Sequence, residues 1–176
     1  MFHEVSTDEV LINPFKAFGK DWMALAAGNE GDGVGTMCIG WGHMGAIWAH
    51  RGGGQNLPTA VVYVRPSRQT KEFVDKEELF TVCAFTPEYK KALGYIGSHS
   101  GREGDKLTPA GLTPVYSDGT VYFAEAKQVF ICRKLYHAPL VEEGFLDKDM
   151  VDLVYPERDF HEIYVGEIIK ILEADQ

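Results

Sequence analysis

The sequence has no apolar run long enough to cross a bilayer. Its longest runs, such as Trp22–Ala27, fall far short of the roughly 20 residues a spanning helix needs. The opening MFHEVSTDEVLINPF lacks the basic start and apolar stretch of a secretory signal, so the expectation is a soluble, cytoplasmic protein with no membrane partner. Positive charge is scarce as well. Against 26 acidic residues stand 17 basic ones, a formal net charge of -9, which repels a nucleic-acid backbone. A phosphate-bearing ligand would therefore need a local basic pocket. The three cysteines, Cys38, Cys83 and Cys132, are odd in number and sit far apart in apolar runs, which argues for reduced, buried thiols and against a disulfide framework or zinc ribbon. None of the six histidines pairs with another, or with a nearby cysteine, at a zinc-ligand spacing, so no metal is expected. There is no GxSxG elbow, and covalent catalysis has no motif to rest on. Internal repeats and low-complexity tracts are also lacking, which leaves one domain over 1–176 as the expectation.

What the sequence does hold is mostly strand. Segments 21–28, 35–42, 60–65, 79–85, 120–136 and 161–172 are apolar and rich in β-branched or aromatic residues. A helix is predicted after Thr86-Pro87-Glu88, its stripe of Tyr89, Ala92, Leu93 and Ile96 ending at Gly97. Shorter helices are predicted over 67–76 and 145–154. Six or so strands without regular strand–helix alternation point to a mainly β, antiparallel barrel or sandwich with short peripheral helices.

The run Gly40-Trp41-Gly42-His43-Met44-Gly45 matches the GxGxxG dinucleotide pattern in letters only. No helix follows, and Ala60–Val64 carries no acid where the ribose partner should stand. Two readings of these glycines stay open: close approach of the backbone to a flat ligand, or a bend in the barrel. Arg65-Pro66-Ser67-Arg68-Gln69-Thr70-Lys71 puts three cations and two hydroxyls at a helix start. Cations there oppose the helix dipole unless an anion sits among them; the other reading is that Ser67 caps the helix and the arginines are solvated. The loop Ser98–Lys106 carries hydroxyls, a histidine and two cations, and reads either as a solvated turn or as a second positive wall for the same ligand. Trp41 and Trp48, near the glycines, suit a core or a subunit interface.

Taken in order, Asn13-Pro14-Phe15, Asp21-Trp22-Met23, Gly35–Gly42, Tyr63–Thr70, Ser100–Lys106 and Tyr164-Val165-Gly166-Glu167-Ile168 resemble flavoredoxin-like members of the flavin reductase family. The resemblance implies an antiparallel Greek-key split β-barrel that binds FMN and forms a homodimer. By that resemblance Thr36, Met37, Cys38, Ile39, Gly40, Trp41 and Gly42 lie along the flavin ring, so a side chain at Gly40 or Gly42 would displace its edge. Arg65, Ser67, Arg68 and Thr70 match the phosphate cradle. Ser100, Gly101, Arg102 and Lys106 match a loop that closes over the flavin, and His161 falls where relatives place a histidine near a nicotinamide. The implied reaction is hydride transfer from NADH or NADPH to flavin, with electrons passed onward. Two alternatives are a flavodoxin-like carrier reduced by a redox protein partner, and a split-barrel binding protein without flavin. Relatives carry asparagine where this chain has Gly35, which removes a side-chain amide. The segment 138–159 is characteristic of a subgroup and reads as a lid or a dimer contact.

Overall fold

The computed structural model describes residues 1–175. Its ten strands are β1 (Phe2–Val5), β2 (Met23–Asn29), β3 (Gly33–Ile39), β4 (Gly42–Ala49), β5 (Asn56–Val64), β6 (Leu79–Ala84), β7 (Pro114–Ser117), β8 (Thr120–Phe123), β9 (Gln128–Pro139) and β10 (Glu162–Ala174). The α-helices are short: α1 (Pro14–Lys16), α2 (Thr70–Lys76), α3 (Lys90–Ser98), α4 (Leu107–Ala110) and α5 (Lys148–Val154). β7 and β8 form a separate hairpin. The other strands make one antiparallel sheet in the order β3-β2-β6-β9-β10-β5-β4, with β1 beside the far half of β10.

That order forces the sheet to curl. β3 and β4 stand at opposite ends of the path, which in a flat sheet would separate them by roughly 29 Å at the usual strand spacing. Yet only Gly40 and Trp41 join them, and a link that short spans no more than roughly 11 Å. The ends must therefore meet, and the barrel is closed there by the chain and not by a ladder. Register shifts between Val165 and Gly166, and between Ile168 and Lys170, help bend β10 against β9.

Strands with no exposed face explain the uninterrupted apolar runs. Along β2, Met23, Leu25 and Ala27 point into the barrel beside Phe80, Val82 and Phe130, while Ala24 and Ala26 point outward under α3 and the β7–β8 hairpin with Cys83, Leu93, Ile96 and Phe123. The predicted helix after Pro87 is present as α3, which continues through Gly97 to Ser98. Gly97 is thus no stop signal: a Cβ on it would lie 2.9 Å from that of Cys38, so its bareness lets α3 seat on β3. The strand predicted over 120–136 is broken, because residues 124–127 turn between β8 and β9, and the Glu125 carboxylate there accepts from the Thr113 amide. Helix α2 begins at Thr70 with Gln69 at its N-cap, so Ser67 is not the cap. The third predicted helix starts later than expected, at Lys148, where Asp147 caps it by accepting from the Asp149 amide at 3.1 Å.

Candidate functional site

Two cavities meet at the mouth of the barrel beside the Gly40–Trp41 seam. One, about 130 Å³, is lined by Met37, Arg65, Ser67, Arg68, Gln69, Thr70, Ile96, His99, Ser100, Gly101 and Lys106. The other, about 170 Å³, is lined by Met37, Cys38, Ile39, Gly40, Trp41, Tyr63, Arg65, Arg68 and His161. They share Met37, Arg65 and Arg68, and so form one trough with a polar lobe and a flatter lobe.

The polar lobe is built where β5 ends. Pro66 fixes its backbone and removes an amide, and the chain turns through Ser67 and Arg68, whose amide donates to Arg65 O, before α2 starts. Thr70 is buried, and neither its hydroxyl nor that of Ser67 is engaged elsewhere among the described residues. The Arg68 guanidinium donates to Gly97 O at 3.0 Å, which ties α3 to this turn. Arg65 is spoken for: it pairs with Asp159 and donates to Val154 O at 3.1 Å. Lys106 is a bolt. Its Nζ donates to Thr36 O at 2.6 Å, Ile96 O at 3.0 Å and His99 O at 3.1 Å, fastening β3, α3 and the loop after it to one point. Burial, together with the Arg68 charge, pushes its pKa down to about 8. Arg102 lies outside both cavities, donating to Ser67 O and pairing with Glu72, while Ser100 Oγ accepts from its amide.

In the flatter lobe, β3 supplies one wall. As an end strand it has a ladder partner on one side only, β2, so backbone groups on its other edge face the seam. Met37 and Ile39 are buried beneath, and burial pushes the Cys38 thiol up to about 11, leaving it protonated and unreactive. Trp41 is half exposed and tilts over His161, with ring centroids 4.7 Å apart. His161 is buried, and its Nδ1 meets the Tyr155 hydroxyl at 2.9 Å. Burial and the Arg65 and Arg68 charges hold its pKa down at about 4, against the opposing pull of Asp159, so it is neutral at physiological pH.

Thr36 and Gly42 stand apart from both cavities. The Thr36 hydroxyl donates to Leu25 O across the β2–β3 ladder at 2.7 Å, and the absent side chain of Gly42 leaves room for Phe18. Gly35 is also accounted for. A Cβ on it would lie 2.4 Å from the Phe73 ring, so α2 occupies the space and the bare position is one of helix packing. Segment 138–159 docks at the trough's edge, where Val154 O and Asp159 hold Arg65, Tyr155 holds His161, and the Arg65 guanidinium lies 5.4 Å from the Tyr155 ring centre.

Sequence reasoning missed several lining residues. Tyr63 lies near the end of β5, two positions before Arg65, so extending strand alternation back from Arg65 could have found it. Gln69 sits inside the basic stretch, its side chain against Gly101, where a Cβ would lie 2.0 Å from Oε1. Ile96 showed only as part of the helix stripe and His99 only as one polar residue of its loop, while the docking residues Tyr155 and Asp159 had no signal of their own.

With this geometry in view, comparison with known proteins is informative. The sequence profile of the flavin reductase-like domain matches residues 55–176, and the chain belongs to that family. No curated protein matches it. Among solved structures it is similar to flavoredoxin from Methanosarcina acetivorans, at 23% identity and TM-score 0.64 over 89% of this chain and 69% of that one. It also resembles an FMN-binding protein from Thermus thermophilus solved with bound p-hydroxybenzaldehyde, at 18% identity and TM-score 0.64 over 98% of this chain and 82% of that one. A third is an FMN-binding domain of a flavin reductases-like enzyme from Shewanella baltica, at 14% identity and TM-score 0.64 over 98% and 77%. At such identities the likeness is one of fold, the split barrel. Among the described residues no helix is long and apolar enough to cross a membrane.

Proposed function

We propose that the chain is a single FMN-binding domain that acts as an oxidoreductase, drawing reducing equivalents from NADH or NADPH and handing them to an acceptor. The observation that carries this reading is the two-lobed trough, whose shared wall of Met37, Arg65 and Arg68 joins a donor-lined end to a flat one. A ligand with an anionic tail and a planar, polar-edged body fits that shape and donor set.

FMN, when bound, supplies a ring that accepts hydride and releases electrons. The protein's own contribution is placement. Ser67, Thr70 and Arg68 would hold the phosphate, with Arg68 adding a charge that is paired to no carboxylate among the described residues. Lys106 belongs to the loop that the resemblance places over the flavin, and it acts there by holding that loop, α3 and β3 in position. Met37, Cys38, Ile39 and Gly40 would hold the ring, and the free edge of β3 would offer it backbone groups. Trp41 and His161 shape the far end, where they would receive a nicotinamide. No side chain here needs to act as acid or base. Orientation at near-attack distance is the enzyme's work.

The same reading includes a homodimer. Ile47, Trp48, Leu135, Tyr136 and Ile169 are exposed apolar residues on β4, β9 and β10, with Trp48 and Tyr136 in edge contact, a surface that self-association would cover. Sedimentation showing only monomer at about 50 µM would remove this part.

The deciding experiment is an anaerobic visible spectrum of the FMN-loaded protein before and after NADH or NADPH. Rapid bleaching of the flavin band is expected. Retained FMN with no bleaching would make the protein an electron carrier reduced by a protein partner, and a colourless chain that ignores FMN would overturn the reading.

A further inference from the structure

We infer that Tyr155 is a positioning residue that locks His161 in its Nε2-protonated tautomer, so that Nε2–H is presented to the flatter lobe as a donor and selects ligands bearing a carbonyl or carboxamide oxygen at that point.

The contact is buried and short, with the Tyr155 hydroxyl 2.9 Å from His161 Nδ1. Two hydrogen placements are open to such a pair. In one, the phenol donates to a bare Nδ1; in the other, Nδ1–H donates to the phenol oxygen, whose own proton then needs another acceptor. Among the described residues the Tyr155 hydroxyl has no second acceptor, and Tyr155 is only 2% exposed, so a phenol proton not given to Nδ1 would be left buried and unpaired. The proton on the phenol therefore goes to Nδ1, and the ring's own proton sits on Nε2. Nε2 has no protein partner among the described residues, and His161 lines the flatter lobe beneath Trp41.

The surroundings keep both groups in these states. Arg65 and Arg68, at the end of β5 and the turn after it, repel a second proton on the imidazole; Asp159, from the segment around α5, opposes them less strongly. Burial pushes the Tyr155 phenol up, so it keeps its proton. Tyr63, across the lobe, is likewise protonated. The site thus changes neither charge nor tautomer over the working pH range, and an acceptor oxygen is what it is built to meet.

The inference depends on the proposed flavin site only for its kinetic consequence. Nitrogen NMR of isotope-labelled histidine, in the full-length chain with and without FMN, reads the tautomer directly. The expected result is a bare, hydrogen-bonded Nδ1 and a protonated Nε2, unchanged between about pH 5.5 and pH 8. In Tyr155→Phe the same signals should move toward a mixture of tautomers. A protonated Nδ1 in the wild type, or an unchanged single tautomer in Tyr155→Phe, would overturn the inference; if the variant does not fold, the wild-type spectrum alone decides. With FMN bound, Tyr155→Phe should raise the KM for NADH or NADPH about tenfold while kcat stays within about twofold. If neither nucleotide reduces the flavin at all, the proposed function fails while the tautomer result still stands.

Discussion

Phe18 fills the space that a side chain at Gly42 would need: a Cβ built on Gly42 lies 2.3 Å from the Phe18 ring, which is itself 2% exposed. Gly42→Val should therefore damage the barrel and not the ligand site. Overpacking of this kind costs about 1–3 kcal/mol, so the urea midpoint should fall with the slope unchanged. Gly40 is different, since its nearest neighbour would be the Trp22 ring at 3.3 Å and it lines the flatter lobe. Gly40→Ala should stay within about 1 kcal/mol of wild type and report on the ring edge by FMN titration.

Arg68, at the phosphate end, donates to a single carbonyl and pairs with no carboxylate among the described residues. A charge-assisted hydrogen bond contributes about 1.5–3 kcal/mol, so Arg68→Ala should weaken FMN by about 10- to 150-fold. Riboflavin has no phosphate, and its affinity should hardly change. The ratio of the two dissociation constants is the diagnostic, and equal loss for both would mean damage to the ring site or the fold.

Lys106→Met should separate support from recognition. Removing Nζ leaves three carbonyls without their donor, at a cost of about 1–3 kcal/mol, visible as a lower melting temperature and faster amide exchange in residues 98–106. Because Lys106 faces carbonyls, FMN and riboflavin should weaken together, in contrast to Arg68→Ala.

His161 makes the fold acid-sensitive. Its folded pKa, about 4, lies below the ordinary 6.5, so between those values the unfolded chain binds the extra proton and the folded one does not. Stability from this group is full above pH 6.5 and is lost as pH falls toward 4, by at most about 3 kcal/mol. His161→Gln should flatten the acid limb of a melting-temperature profile against pH while leaving the neutral plateau near its own baseline. An acid limb as steep as wild type would show that other groups carry it.

What could be read from the sequence was whatever local pattern decides. The buried strand β2 shows as an unbroken apolar run because both its faces are covered, and α3 shows through its stripe and Pro87. The trough's residues were legible from their chemistry, clustered in Arg65–Thr70 and Ser100–Lys106. Partnership was not. Lys106 and Arg102 look alike in the loop, yet one bolts three elements and the other lies outside on Glu72. β1 was missed because β10, its only partner among the described residues, lies at the other end of the chain. The break before β9 carries no glycine or proline and depends on Glu125 reaching Thr113. Gly35, read as a missing amide, Gly42, read as a ring contact, and Gly97, read as a stop, leave room for Phe73, Phe18 and Cys38, a packing demand that no local pattern shows.

The two-residue link between β3 and β4 also bears on how the molecule comes together. Their link keeps these strands within about 11 Å of each other from the start, but the ring they complete closes only after β2, β6, β9, β10 and β5 have paired between them. Much of that pairing joins distant residues, as where Phe2 meets Ala174, and such closure is slow because its loop entropy is lost before its contacts form. The trough lies along this seam, so it can assemble only in the final stage of folding. A flavin added during refolding would find nothing to bind until then, and its capture would time the closing of the barrel.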